Sequence, residues 1–350
     1  MGIKHLNKII KKYSPDAFKT THLSHYAFKR VAIDVSLFMF KYKTVFGEDR
    51  WLTAFVSLIC CLRRNEVHPV FIFDSKAPPE KLLEQQERRE ARNKIKEKLE
   101  KLEVDYNTYK DSGEVSDFLK EESKKEKTNV FLLGTPAFRE RVIKDMIDKL
   151  KLHTISIGRK DFLLAKELFS IMSIPYYQAT TEAEATAAYL CKEGIVHGVV
   201  SEDTDVLAYA SPKFMTKINI VSETCMEIDY NRILLDLEMT PSQFLDMCIM
   251  CGTDYNKNIP KIGPQKAYQL IKKHGSLDKI KEETDLDTSV LKFERGRELF
   301  TFKEDYFTEK VVFCGEPNFN MIDEFLFKHN CRINMDYVRK CFKSLPLEFK

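Results

Sequence analysis

Apolar positions along this chain fall into two patterns. One has helical spacing, as in Ile3, Leu6, Ile9 and Ile10, and in the apolar run over 51–64. The other is a short, continuous apolar run that ends in a carboxylate. It occurs at Val31-Ala32-Ile33-Asp34, at Pro69-Val70-Phe71-Ile72-Phe73-Asp74, and at Val199-Val200-Ser201, which is followed by Asp203. Continuous apolar strands alternating with helices predict a mainly parallel central sheet covered by helices, an α/β fold. Ligands of such sheets bind outside the carboxyl ends of the strands. That geometry alone gathers Asp34, Asp74, Asp203 and Asp205 at one edge.

Between the second and third runs the pattern changes. A charged helix is expected from Glu80 to about Leu102, with a narrow stripe at Ile95, Leu99 and Leu102. Residues 103–129 are polar and read as a mobile connection, and helices are expected over about 136–151 and 160–172. The segment 78–175 is too long for an ordinary crossover and is predicted to be a mainly helical insertion. After Pro212, β segments at 214–221 and 225–229 precede helices at 230–237, 241–250, 264–273 and 276–283. Residues 284–315 carry no decisive pattern, and helical signals return at 321–328 and 335–343. The expected organisation is one domain: an N-terminal region 1–77, the insertion 78–175, an internal region 176–255, a helical pair within 241–285, and a C-terminal helical part 286–350.

Composition changes this picture little. Hydrophobic residues make up 43%, enough for a sizeable core, and the net charge of +3 does not by itself point to nucleic acid. Nine cysteines lack a disulfide-scaffold spacing and no secretory signal is visible, so a reducing, intracellular setting is expected. No apolar run reaches the ~20 residues of a membrane span, so no membrane partner is expected. Leu6 stands where a myristoylation signal on Gly2 needs Ser or Thr.

The chemistry concentrates in Thr180–Asp205. Glu182 and Glu184 open this helix–strand unit, and Asp203 and Asp205 close it. Like charges so crowded resist joint ionisation unless a cation lies between them. On an extended turn, an i, i+2 pair points to one side, so Asp203 and Asp205 can converge. The ordinary alternative is capping: Thr181-x-x-Glu184 fits a capping box, and Asp203 with Asp205 fits an N-cap and first-turn acid. Asp254, in Gly252-Thr253-Asp254-Tyr255, is a seventh acid. Acids without clustered His or Cys favour Mg²⁺ or Mn²⁺ over Zn²⁺. Seven exceed what one octahedral ion uses and suit a two-ion site.

A second signal is Ile259-Pro260-Lys261-Ile262-Gly263-Pro264-Gln265-Lys266-Ala267, a tight turn into a helix whose free backbone N–H groups suit a phosphate. Lys81, Arg88, Arg89 and Arg92 lie on the first helix of the insertion, with Arg88 and Arg92 on one face. A solvated helix laced with ion pairs is the ordinary reading for most of 94–127. Cys248-x-x-Cys251 lies in an apolar helix and reads as core.

Taken together, these stretches resemble the flap endonuclease branch of the XPG/Rad2-type structure-specific 5′ nucleases, whose core is PIN-like. The resemblance is carried by Met1-Gly2-Ile3, VAIDVS at 31–36, VFIFDSKAPP at 70–79, IPYYQATTEAEA at 174–185, VSEDTDVLAYASP at 200–212 and CIMCGTDYNKNIPKIGPQKA at 248–267. It implies that Asp34, Asp74, Glu182, Glu184, Asp203, Asp205 and Asp254 ligate two Mg²⁺ ions, with Mn²⁺ able to substitute. It implies a helix–hairpin–helix turn at 258–267, where the carbonyls of Asn258, Ile259 and Ile262 hold a K⁺ against a duplex phosphate and Gly263, Gln265 and Lys266 contact DNA. Gly2, after removal of Met1, would lie near the junction, and Phe40 would stack on a base beside the scissile phosphate. Residues 78–175 would form a helical arch around a 5′ flap, with Lys81 and one of Arg88, Arg89 and Arg92 catalytic. Ser75 and Lys261 stand where the family usually has Gly, and Ala77 is inserted before the Pro pair. The arch region is about thirty residues longer than usual, and no clamp-binding Gln-x-x-Leu-x-x-Phe-Phe box is present.

The expected function is that of a 5′ flap endonuclease with 5′→3′ exonuclease activity. Such an enzyme cuts DNA phosphodiesters at single-strand/duplex junctions during replication, repair or recombination. Its partner is 5′-flap, nicked or branched DNA of any sequence, and a monomer is expected. The expected setting is the nucleus, or a cytoplasmic site of viral replication if the protein is viral. The rivals are a double-strand exonuclease or junction resolvase of the same superfamily, and a DNA-binding scaffold without activity.

Overall fold

The computed structural model describes residues 2–48, 50–125, 140–303 and 306–342. Among them, seven strands form one mixed sheet. They are β1 (Phe18–His22), β2 (Arg30–Asp34), β3 (His68–Phe73), β4 (Tyr176–Gln178), β5 (Gly198–Val200), β6 (Lys213–Asn219) and β7 (Thr224–Asp229). Their order is β1-β7-β6-β5-β2-β3-β4. The pairs β2–β3, β2–β5, β3–β4 and β5–β6 are parallel, whereas β7 runs antiparallel to both β6 and β1.

The sheet explains the continuous apolar runs. Successive side chains of a strand point to opposite faces, so a strand buried on both faces needs apolar residues at every position. Ala32, Val70, Ile72 and Val199 enter one core with the helices Ala183–Lys192 and Pro241–Cys251. Val31, Ile33, Phe71, Phe73 and Val200 enter the other core with Trp51–Arg64, Arg159–Ile171, Phe319–Lys328 and Met335–Cys341. Phe71 and Phe169 stack there with ring centroids 4.0 Å apart.

Two compact units make up the chain. One comprises Met1–Leu82 with Ile157–Lys350, and the other is Leu83–Ser156. The second is narrower than the insertion read from sequence, because the helix Arg159–Ile171 contributes Ala165, Leu168 and Phe169 to the main core. The segment 103–125 is not a mobile connection. The helix that starts at Leu82 runs to Ser112, and another spans Asp117–Lys125. The apolar stripe continues past Leu102 at Tyr106 and Leu119, which pack with Leu99, Ile143 and Ile147. Sparse apolar spacing hid this small core. Residues 126–129 of that connection, and 136–139 of the helix placed at 136–151, lie outside the described residues. The edge strand β1 has too little apolar signal to be read, and the described residues of 284–315 hold one short helix, Phe293–Leu299, with a 3₁₀ turn before it.

Candidate metal centre and nucleic-acid interface

Parallel strands put their terminal acids on one edge. Asp34 ends β2 and caps the helix Val35–Phe46, its Oδ1 accepting from the Leu37 N–H at 3.2 Å. Asp74 follows β3, and its Oδ1 accepts from the Ala183 N–H at 2.9 Å. The capping box of Thr181 and Glu184, the ordinary alternative to a metal role, is not formed. Glu182 is the N-cap residue, the Thr181 hydroxyl bonds to that of Tyr306 at 2.7 Å, and Asp74 supplies the acceptor from the neighbouring strand. Asp203 accepts from the Asp205 N–H at 2.9 Å, and Asp205 opens the short helix Asp205–Ala208.

Burial makes these acids costly. Asp34, Glu182, Glu184, Asp203 and Asp205 are all buried, and among the described residues Asp205 Oδ1 has no hydrogen-bond partner. Desolvation pushes the Asp34 carboxyl well above the usual carboxylate range, reinforced by the charges of Asp74 and Asp203. Desolvation does the same to Glu184, which Lys81 partly opposes, and to Asp205, where Asp203 and Asp254 add to it. Asp203 is also raised by burial, against the pull of the Asp205 N–H. Asp74 is exposed and Asp254 half-buried.

Lys81 is the local counter-ion. Its ammonium pairs with Glu182, lies 3.4 Å from Asp254 Oδ2 and 3.9 Å from Glu184 Oε1. Burial disfavours its charge, but Glu184, Glu182 and Asp254 outweigh that and raise its pKa. Among the described residues, no three His, Cys, Asp or Glu side chains converge as a metal cage. Three of the acids, Glu182, Glu184 and Asp254, are instead gathered around a lysine. The donor set of the seven acids fits a hard divalent cation nonetheless: all are oxygen ligands, most are buried, and one oxygen lacks a partner.

Two tyrosines belong to this centre and were not read from sequence. The Tyr255 hydroxyl donates to Glu182 and bonds to that of Tyr209 at 2.8 Å. The signal available was adjacency, since Tyr255 directly follows Asp254. Gly2 abuts the same acids. At φ +81°, a Cβ on it would meet Asp203 Oδ1 at 2.0 Å and Asp205 Oδ1 at 2.7 Å. Phe40 is 38% exposed on the helix Val35–Phe46.

The helices Pro241–Cys251 and Pro264–His274 pack together around a turn at 252–263. Lys261 takes φ +65°, the left-handed conformation that favours glycine. Gly263 caps the second helix, with Pro264 at its first position. Of the carbonyls expected to hold K⁺, that of Ile262 accepts from Asn258 Nδ2 at 3.2 Å and that of Ile259 from the Ile262 N–H at 3.0 Å. Gln265 is engaged internally, accepting from Lys12 Nζ at 3.0 Å and donating to the Tyr13 hydroxyl at 2.6 Å, whereas Lys266 is exposed. A part-buried ion pair missed in the sequence braces this element: Arg297 grips buried Asp246 with two bonds of 2.7 Å, and Asp246 accepts from the Leu277 N–H at 3.0 Å. Arg88, Arg89 and Arg92 sit on the Leu83–Ser156 unit. Arg88 pairs with Glu84, Arg89 is exposed and Arg92 half-buried. Cys248 and Cys251 are buried free thiols within the core.

A mixed α/β sheet with acids gathered at its carboxyl edge defines a class, the α/β nucleases, and known proteins agree. The model of the XPG N-terminal domain matches residues 1–95, and that of the XPG I-region matches 173–254. The probable RAD2-like endonuclease 369L of Invertebrate iridescent virus 6 is 32% identical, over all of this chain and 93% of its own length. Protein 076L of Invertebrate iridescent virus 3, of the same description, is 34% identical over 92% of this chain and 91% of its own. Flap endonuclease 1 of Ostreococcus lucimarinus is 29% identical over 97% of this chain and 83% of its own. The fold is shared with the catalytic core of Rad2 in complex with DNA substrate, at a TM-score of 0.64 and 17% identity over 97% of this chain and 98% of that one. It is shared too with flap endonuclease-1 from Methanococcus jannaschii, at 0.61 and 23% over 95% and 97%. The chain belongs to the XPG/Rad2 family of structure-specific nucleases.

Proposed function

We propose that this nuclease is a 5′ flap endonuclease, with 5′→3′ exonuclease activity, that hydrolyses DNA phosphodiesters where a single strand meets a duplex. The observation that carries this reading is the buried carboxylate cluster around Lys81 at the carboxyl edge of the sheet. Asp34, Asp74, Glu182, Glu184, Asp203, Asp205 and Asp254 would hold two Mg²⁺, which would supply Lewis-acid activation of water and stabilisation of the leaving oxygen.

The side chains have separate tasks in this reading. Asp34, Asp74 and Asp203 are each fixed by a backbone N–H, so their carboxylates are pre-oriented. Tyr255 holds Glu182 from behind. The Lys81 ammonium screens the acids before substrate arrives, then offers its charge to the scissile phosphate as negative charge builds there. Arg88, Arg89 and Arg92 supply further positive charge to a threaded strand, and exposed Phe40 offers a ring for stacking beside the cut. The start of the helix Pro264–His274, with Gly263 and Lys266, grips a duplex phosphate without reading sequence. K⁺ would join it through the carbonyls of Asn258, Ile259 and Ile262, since a carbonyl already bonded once keeps a second lone pair.

The test is cleavage of a 5′-labelled flap on duplex DNA, with Mg²⁺ or with chelator. We expect one main product, cut near the junction and only with Mg²⁺. Mononucleotides released from blunt duplex, with the flap left intact, would favour the exonuclease rival. Absence of any product with Mg²⁺ or Mn²⁺ would favour the scaffold and overturn the proposal.

A further inference from the structure

The catalytic reading uses the carboxyl edge of the sheet and leaves the opposite edge unexplained. There, at the amino ends of β2, β5 and β6, lies a cavity of about 400 Å³. Its lining includes Lys29, Arg30, His197, Pro212, Lys213 and Phe313. The volume is within the ~300–1,000 Å³ range of small-molecule sites. Arg30 and Asp34 are the two ends of β2, so the cavity lies roughly 13 Å from the acids at about 3.3 Å per residue.

Charge in this cavity is unbalanced. Lys29, Arg30 and Lys213 bring three cations, and Lys213 Nζ pairs with Glu227 at 2.8 Å. Among the described residues, neither Lys29 nor Arg30 forms an ion pair with an acid. Lys29 Nζ lies 3.4 Å from His197 Nε2. Burial first, and then the charges of Lys29 and Lys213, lower the His197 pKa, so the ring stays neutral and accepts from the ammonium. Arg30 donates to the Val311 carbonyl, and its guanidinium lies 4.5 Å over the ring of Phe313. Phe313 is 51% exposed and is braced from the side by His68, ring centroids 4.9 Å apart.

We propose that this cavity is a second anion site, which takes the phosphate of a nucleotide on Lys29, Arg30 and Lys213 and its base against the Arg30–Phe313 stack. Lys29 and Lys213 both act on His197, and an anion entering the cavity would offset their charge together with that of Arg30. A flat guanidinium–ring pair offers a surface on which any base can stack. Both features belong to a nucleotide, whereas inorganic phosphate uses only the first. The nucleotide can be free or the end of a DNA strand. The proposal does not depend on the flap reading, because binding is measured directly.

Calorimetric titration of the full chain in chelator, with adenosine 5′-monophosphate, inorganic phosphate and a short 5′-phosphorylated oligonucleotide, tests it. We expect saturable one-to-one binding of the mononucleotide, tighter than that of phosphate. Lys29→Glu should weaken it about tenfold or more, as loss of a charged hydrogen bond does. Lys81→Met, at the other edge, should leave it unchanged. Oligonucleotide binding that needs Lys29 while the mononucleotide fails to bind would assign the site to strand ends. Phe313→Ala serves as a second variant should Lys29→Glu lower the melting temperature. No saturable binding of either nucleotide at millimolar concentration, or binding indifferent to both variants, overturns the proposal.

Discussion

Lys81 offers the sharpest test of how the acidic centre is held together. Its ammonium faces Glu182, Asp254 and Glu184, and its side chain is 12% exposed. Lys81→Met keeps the length of the stem and deletes the charge. Breaking a buried ion pair from one side costs roughly 3–5 kcal/mol. The lower end applies here, because the orphaned acids can take up protons and so relieve part of the repulsion. With about 2.1 cal/mol/K of unfolding entropy per residue, roughly 3 kcal/mol lowers the midpoint of a 350-residue chain by about 4 °C. Thermal denaturation in chelator should show that drop. Saturating Mg²⁺ should close most of the gap, because the ions then supply the missing positive charge. Cleavage of a flap substrate should stay depressed about a hundredfold even then, because the phosphate has lost a cation in its transition state. A variant that melts with the wild type in chelator would refute the counter-ion role. An unchanged gap after Mg²⁺ is added would refute the idea that metal and lysine answer the same charges.

Other outcomes follow from the same geometry. The folded-state pKa values of Asp34, Glu184, Asp203 and Asp205 are raised, so their contribution to stability is present below about pH 4 and is lost as pH climbs through the raised values. The metal-free protein should therefore lose melting temperature relative to the Mg²⁺ form as pH rises from about 4 through neutrality, and a constant difference would contradict this. Gly2→Ala puts a methyl 2.0 Å from Asp203 Oδ1 at a left-handed φ, so flap cleavage should fall about tenfold or more with folding intact, and wild-type rates would show that this end of the chain is not needed there. Arg297→Ala orphans Asp246 beneath the hairpin helices and should cost about 3 kcal/mol in denaturant unfolding, whereas a loss under about 1 kcal/mol would show that the pair is not structural. Asp34→Asn keeps an acceptor for the Leu37 N–H while removing charge, so it should hold the melting temperature of the metal-free protein and abolish cleavage; Asp34→Ala should lose about 1 kcal/mol as well.

Much of the fold was legible because a doubly buried strand must be apolar at every position. Arg30–Asp34, His68–Phe73 and Gly198–Val200 announced themselves in this way, and each run ended near an acid. Local pattern could not reveal long-range partnership. Glu184 three residues after Thr181 looks like a capping box, yet Asp74 provides the acceptor for Ala183 from another strand. Lys81 could be read as a phosphate ligand from its motif, but not as a counter-ion to Glu182 and Asp254, which lie far along the chain. Asp246 and Arg297 look like ordinary surface charges until the fold brings them together. The small core of the Leu83–Ser156 unit was missed because Tyr106 and Leu119 lie far apart among charged neighbours.

The capping and metal readings of the strand-end acids, set against each other in the sequence, are both served by one geometry. Asp34, Asp74 and Asp203 each give an oxygen to a backbone N–H at a loop or helix start. A carboxylate has two oxygens with about four acceptor sites, so one such bond fixes its direction and leaves most of it free. Asp205 lacks even that on Oδ1, and Glu182 and Glu184 are held by Tyr255 and Lys81 instead. The acids thus differ in how they are held. Those at strand ends are locked by backbone, and substitution there should disturb helix entry as well as charge. Glu182 and Glu184, without a backbone bond, are held by side chains that a cation can replace, and Asp205 Oδ1 has no partner among the described residues. It is this second group, Glu182, Glu184 and Asp205, whose positions should respond most to the arrival of metal.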